Sequence, residues 1–170
     1  MNYKIISDTH FFHKAIIEFC DRPLNHEQLM FDSMMQIAPD DVLLHLGDIC
    51  MGKDEYIHET YIKPLKCRKW LIKGNHDHKS NTWYLHHGWD FVADVVKDKM
   101  FGKKILFSHV PQYWDGWYEV NIHGHFHNTD HRRNEPELNR CMNHMHRLYA
   151  PEYENYHVVN LEKFLNRFRK

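Results

Sequence analysis

The sequence predicts a layered α/β fold, and three observations carry that reading. Short apolar runs recur along the chain, helical patterns lie between them, and the runs end in clusters of Asp, His and Asn where a plain core would place apolar residues. In open α/β sheets ligands collect where strands give way to loops, so polar clusters at those junctions mark a site. At 170 residues the chain has room for one domain with a sizeable core, spanning 1–170, and no repeat, linker or low-complexity tract divides it.

In chain order, the apolar runs predict strands over 3–7, 42–46, 69–73, 91–96, 104–108, 119–123 and 157–159. A helix is predicted over 27–37, where Leu29, Met30, Ser33, Met34 and Ile37 form one stripe behind the start signals Pro23 and Asn25. Asp54 opens a second, shorter helical pattern over 54–62. Gly102, between Phe101 and Lys103-Lys104, reads as a hairpin turn, which makes part of the sheet antiparallel. A late helix is predicted over 136–149, with Leu138, Met142, Met145 and Tyr149 as its core stripe.

Composition excludes several classes. Lys+Arg number 22 against Asp+Glu 23, a net charge of -1 with His neutral, so no global positive field recruits nucleic acid and any polyanion contact must be local. Cys20, Cys50, Cys67 and Cys141 form no C-x-x-C pair, which argues for reduced thiols and against a zinc ribbon. The N-terminus enters a strand without a charged-then-apolar leader, and no apolar run reaches membrane-spanning length, so the expectation is a cytoplasmic protein with no membrane partner.

Five polar clusters follow predicted strands: Asp8-Thr9-His10, Gly47-Asp48, Gly74-Asn75-His76-Asp77, Ser108-His109 and Gly124-His125-Phe126-His127. Singly, each has a plain explanation as a turn cap or a satisfied polar residue. Together they supply Asp, His, Asp, Asn, His, His and His, enough hard and borderline donors for two divalent ions sharing one carboxylate. With no thiolate among the donors, Mn, Fe, Ni and Zn all suit the set, and Mn is the first expectation. Most of the other histidines among the 17, such as His58, His86, His87, His144 and His146, read as solvated or partner-satisfied imidazoles.

These five blocks, in this order, resemble the signature of the calcineurin-like metallophosphoesterases, and the match spans Asp8 to His127. Ser7-Asp8-Thr9-His10-Phe11 followed by Cys20-Asp21-Arg22-Pro23 is similar to the small single-domain members of bacteria and phages. The resemblance implies a sandwich of mixed β-sheets flanked by helices, with a dinuclear metal site at the strand-end loops. It implies that Asp8, His10, Asp48 and His127 hold one metal, that Asp48, Asn75, His109 and His125 hold the other, and that Asp48 bridges them. Two ions about 3.5 to 4 Å apart activate water and neutralise phosphoryl charge. His76 takes the acid–base role in this pattern, and Asp77 is the group expected to orient it.

The resemblance also places the loop after His109, with Tyr113, Trp114 and Trp117, beside the metals, where a base could stack for about 1 to 3 kcal/mol. Arg22, Arg132, Arg133, Arg140 and Arg147 are candidate phosphate partners. The expected function is metal-dependent hydrolysis of phosphate esters, diesters slightly ahead of monoesters and nucleotide-like substrates among them, without stable nucleic-acid binding. The alternatives are a monoesterase or protein phosphatase, for which the short chain leaves little peptide-binding surface, and a catalytically silent scaffold, which the complete donor set opposes.

Overall fold

The computed structural model describes residues 1–129 and 135–167. Its framework is two mixed sheets. The first contains β1 (Tyr3–Ile6), β2 (Val42–His45), β3 (Arg68–Ile72), β4 (Phe91–Ala93) and β9 (Val159–Asn160), in the order β4-β3-β2-β1-β9. Its strands pair in parallel except for β9, which runs antiparallel to β1. The second contains β5 (Val95–Met100), β6 (Lys103–Ser108), β7 (Val120–His123) and β8 (His146–Leu148), with β5 antiparallel to β6 and the remaining pairs parallel.

Local sequence explains most of these elements. β2 and β7 are buried at every position, as strands covered on both faces must be. Between β5 and β6, Phe101 (φ 53°) and Gly102 (φ 73°) both take the left-handed conformation of a type I′ turn, so the expected hairpin is present. Helix α1 (Ala15–Cys20) follows the first loop, and α2 (His26–Met35) presents Met30 and Met34 to the core. Helix α3 (Asp54–Ile57) runs into a π-helical turn (His58–Ile62), while α4 (Asn81–His86) starts on Ser80, whose hydroxyl accepts from the Trp83 amide. Two further helices, α5 (Pro136–Cys141) and α6 (Leu161–Asn166), follow β7 in the chain. One apolar cluster joins Ile5, Leu44 and Ile72 of the first sheet to Ile105, Phe107 and Ile122 of the second. Each such fully buried apolar side chain contributes about 1.5 to 3 kcal/mol of burial free energy.

Two sequence expectations are corrected here. The apolar run 91–96 is not one strand: Phe91–Ala93 pairs with β3, and the chain then passes Asp94 and enters the other sheet at Val95. Periodicity registers the apolar run but not a change of partner. The late helix ends at Cys141 instead of 149, because Met142 adopts extended backbone (ψ 132°) and His146–Leu148 pairs in parallel with β7. Of its expected core stripe only Tyr149 is fully buried. All four cysteines are buried and free, as expected of reduced thiols. Among the described residues no helix is long and apolar enough to cross a membrane.

This topology decides where the polar clusters go. Parallel registry aligns Ile5 with Leu44 and Leu44 with Trp70, so the loops after β1, β2 and β3 leave one edge of the sheet. In the second sheet Phe107 pairs with Ile122, which sends Ser108-His109 and Gly124–His127 out together. The two sets of loops then meet.

Candidate metal centre

Five of the seven expected metal ligands have left-handed backbone: Asp8 (φ 53°), His10 (47°), Asp48 (57°), His125 (75°) and His127 (47°). For a non-glycine residue this conformation costs on the order of 1 to 3 kcal/mol and persists only where the surroundings over-determine it. The surroundings here are specific. The Asp8 amide donates to Gly47 O (2.9 Å), His10 to Asp48 O (3.0 Å), Gly124 to His109 O (2.9 Å) and His125 to the Asp8 carboxylate (3.1 Å). Two glycines make the approach possible. A Cβ on Gly74 would lie 2.1 Å from Asp48 Oδ1, and one on Gly124 would lie 2.1 Å from Ser7 Oγ and 2.3 Å from Asp8 Oδ2.

The side chains form two adjoining groups. In one, His10 Nε2 and His127 Nε2 lie 3.8 and 3.5 Å from Asp8 Oδ1. In the other, His109 Nε2 is 3.2 Å from Asp48 Oδ2, 3.1 Å from Asn75 Oδ1 and 3.2 Å from His125 Nδ1. Asp48 Oδ2 reaches across to His10 Nε2 at 3.6 Å, so this carboxylate touches both groups. The donor atoms of Asp8, His10 and His127, and those of Asp48, His109 and His125, each fall within 4.8 Å of one another.

The arrangement fits cations on two further counts. His10 Nε2 is buried among these carboxylates with no hydrogen-bond partner, a position that would be costly for a neutral site to maintain. Each inward-facing histidine also has its second ring nitrogen beside a partner able to accept: Leu46 O for His109 Nδ1 (2.7 Å), Glu135 for His125 Nε2 (2.8 Å), Glu152 for His127 Nδ1 (3.2 Å) and His13 Nδ1 for His10 Nδ1 (3.3 Å). Metal-bound imidazoles are oriented in this way, the outer N–H donating so that the inner nitrogen is free to ligate.

The electrostatics agree. Burial opposes charge on His109, yet the bond to Asp48 and the nearby Asp8 carboxylate raise it to about 9. Burial likewise opposes charge on His127, but Asp8, Cys20 and Glu152 raise it to about 10. Burial would push the Asp48 carboxyl up, and His109 and His10 instead hold it well below the usual carboxylate range. The pocket therefore carries a negative potential that favours positive charge inside it.

Over these groups opens a cleft of about 190 Å³, whose wall beyond the expected ligands includes His13, Ile16, Phe19, His76 and Glu135. His76 stands at the rim, its side chain 31% exposed and its Nε2 4.0 Å from Asp48 Oδ2. All seven expected ligands and His76 are thus brought together.

The other expected site residues lie elsewhere. Asp77 does not orient His76: its buried carboxylate accepts from the amides of Asp48 (2.8 Å), Gly74 (2.8 Å) and Ile49 (3.1 Å), clamping two ligand loops together. Arg22 is buried and cannot meet a substrate. Its guanidinium pairs with Glu152 (2.8 Å) and donates to the carbonyls of Asp8 (2.9 Å) and Thr9 (3.2 Å).

The aromatic loop does not rim the cleft. β6 and β7 are parallel, so the connection between them must travel from the metal end back to the opposite end of the sheet. Trp114 accordingly lines a separate cavity of about 510 Å³ with Lys103, Tyr118 and Val120, at the starts of those strands. The Tyr113 hydroxyl donates to Glu137 O, and Trp117 lies under Lys97. Arg140 pairs with Glu137 on the surface, Arg147 bonds the carbonyls of His144 and His146, and Arg132 and Arg133 fall outside the described residues.

Residues not singled out from the sequence also enter the site. His13 carried a weak local signal, one helical turn after His10; Glu135 and Glu152 carried none, because only the fold brings them to His125 and His127.

No family model matches the chain. An uncharacterized protein of Methanocaldococcus jannaschii is 26% identical over 174 residues, covering 98% of this chain and 90% of that protein. The crystal structure of a protein of unknown function from Aquifex aeolicus superposes with a TM-score of 0.74 at 24% identity, covering 99% of each chain. The fold is therefore shared along the whole length of the chain. An archaeal phosphodiesterase covers 75% of this chain and 74% of its own at 18% identity, with a TM-score of 0.47, a likeness too low to carry an argument.

Proposed function

We propose that this protein is a calcineurin-like metallophosphoesterase: a hydrolase that cleaves phosphate esters with two divalent ions held at the strand-end loops. The observation that carries the reading is the convergence of the seven donor side chains in two adjoining groups, with the Asp48 carboxylate within 3.6 Å of His10 in one and 3.2 Å of His109 in the other. Asp8, His10, Asp48 and His127 would hold one ion and Asp48, Asn75, His109 and His125 the other, with Mn the first choice and Fe, Ni or Zn compatible with the same donors. Bound there, the ions supply an activated water at neutral pH and neutralise charge on the phosphoryl oxygens.

The chain's own residues do the rest. Asn75 contributes a neutral donor, which limits the negative charge an incoming phosphate must approach. His76, partly exposed at the rim of the cleft, is positioned to hydrogen-bond a phosphoryl oxygen and to protonate the departing alkoxide, worth typically 100- to 10,000-fold in rate. Ile16 and the exposed ring of Phe19 give the cleft an apolar wall against which a second ester group could lie, and this supports diesters slightly over monoesters.

The test is hydrolysis of generic diesters, monoesters, cyclic nucleotides and phosphopeptides by the Mn-loaded protein. Turnover of an ester that depends on Mn and is abolished in Asp48→Asn supports the proposal. Full metal occupancy with no turnover of any ester would favour a silent scaffold, a reading that the intact donor set and His76 oppose.

A further inference from the structure

Three of the four inward-facing histidines rest their outer nitrogen on an oxygen: a backbone carbonyl behind His109, and carboxylates behind His125 and His127. Behind His10 stands a second imidazole, His13, with the two Nδ1 atoms 3.3 Å apart. Two nitrogens at that distance require one donor and one acceptor. His10 directs Nε2 at Asp8 and Asp48, so a ligating His10 carries its proton on Nδ1. His13 must then accept at Nδ1 and bear its own proton on Nε2.

That Nε2–H is where His13 differs from the carbonyl and the carboxylates, which have no proton to offer. His13 lines the cleft, is only partly buried, and sits with its ring centroid 6.3 Å from that of His76 and 5.1 Å from that of His10. Among the described residues nothing accepts from its Nε2. The ring that lines the cleft thus carries an N–H donor with no acceptor among the described residues.

Resting on the phosphoesterase reading above, we propose that His13 has two roles: through Nδ1 it positions His10, and through Nε2–H it binds an oxygen of the substrate's phosphoryl group in the cleft it shares with His76. The fold produces the pair cheaply. His13 N donates to His10 O (3.0 Å), closing a tight turn that sets the two rings side by side just before α1.

Two substitutions separate the roles. In His13→Asn the side-chain oxygen can replace Nδ1 as acceptor, and nothing reaches Nε2's place. In His13→Gln the terminal amide can replace the Nε2–H donor, and the acceptor beside His10 is lost. The probes are Mn and inorganic phosphate, each titrated calorimetrically, the phosphate into Mn-loaded protein. His13→Asn should keep Mn affinity within about twofold and weaken phosphate about 10-fold or more, the effect of losing a hydrogen bond to a charged group. His13→Gln should weaken Mn at one site by about 10- to 100-fold, as loss of a partner behind a ligand does.

Unchanged phosphate affinity in His13→Asn overturns the substrate contact, and unchanged Mn affinity in His13→Gln overturns the positioning role. Should either variant fail to fold, His13→Phe, which keeps a ring and removes both nitrogens, must weaken both affinities, and retention of both refutes the proposal. A wild-type protein that binds neither Mn nor phosphate would instead defeat the phosphoesterase reading itself.

Discussion

Metal uptake by this site should be strongly coupled to protons. His109 and His127 are raised to about 9 and about 10, because Asp48, Asp8 and Glu152 outweigh the cost of burying their charge. At pH 7 both rings are therefore protonated until a cation takes the inner nitrogen, and each must release its proton to ligate. The sign follows directly: raising the pH removes a competitor, so Mn affinity rises. Below pH 9 the product of the two binding constants should increase by roughly two log units per pH unit, flattening to one between 9 and 10 and to none above 10. From pH 6 to pH 8 that amounts to about 5 kcal/mol, at 1.36 kcal/mol per proton and pH unit.

Calorimetric titration with Mn in buffers of different ionisation enthalpy counts the protons directly, and about two should appear per pair of ions at pH 7. Release of none would mean that both rings are neutral at that pH. The carboxylates would then not be gripping them as the 3.2 and 3.5 Å contacts imply. His109→Asn should remove one of the two protons, and retention of both would place the released protons on other groups.

Three further outcomes follow from the same geometry. His76→Asn should keep both metals and lose about 100- to 10,000-fold in turnover of alkyl esters, with a smaller loss for nitrophenyl esters, whose leaving group needs no proton; equal losses would make His76 a phosphate binder only. Arg22→Met should lower stability by about 1.5 to 3 kcal/mol, because the buried Glu152 carboxylate keeps only His127 as a partner and the carbonyls of Asp8 and Thr9 lose their donor, and a melting temperature within 2 °C of wild type would show that solvent reaches this pair. Trp114→Ala should leave kcat and KM unchanged for nucleotide and generic diesters alike, since Trp114 lines a cavity at the far end of β6 and β7; a selective rise in KM for the nucleotide would restore the stacking rim.

The sequence alone determined the fold class and the donor set. Strands that bury both faces are rich in apolar residues, so Ile5-Ile6, residues 42–44, 70–72 and 105–107, and the pair Val120 and Ile122 showed as runs, and the Asp, His and Asn just after them stood out against that background. Local turn chemistry made the Gly102 hairpin legible in the same way. Tertiary structure decided everything that depends on a partner distant in sequence. It split 91–96 between two sheets, and it cut the 136–149 helix short to supply β8 beside β7. It carried Trp114 away from the metals because a parallel connection must cross the sheet. It turned Arg22 and Asp77 inward, where buried backbone amides and carbonyls at the ligand loops needed partners more than a substrate did. It brought Glu135 and Glu152 behind two histidines from positions no local pattern distinguishes. Ligands are set by side-chain chemistry that a motif records, whereas the groups that orient those ligands are set by packing, which many sequences can satisfy and no motif records.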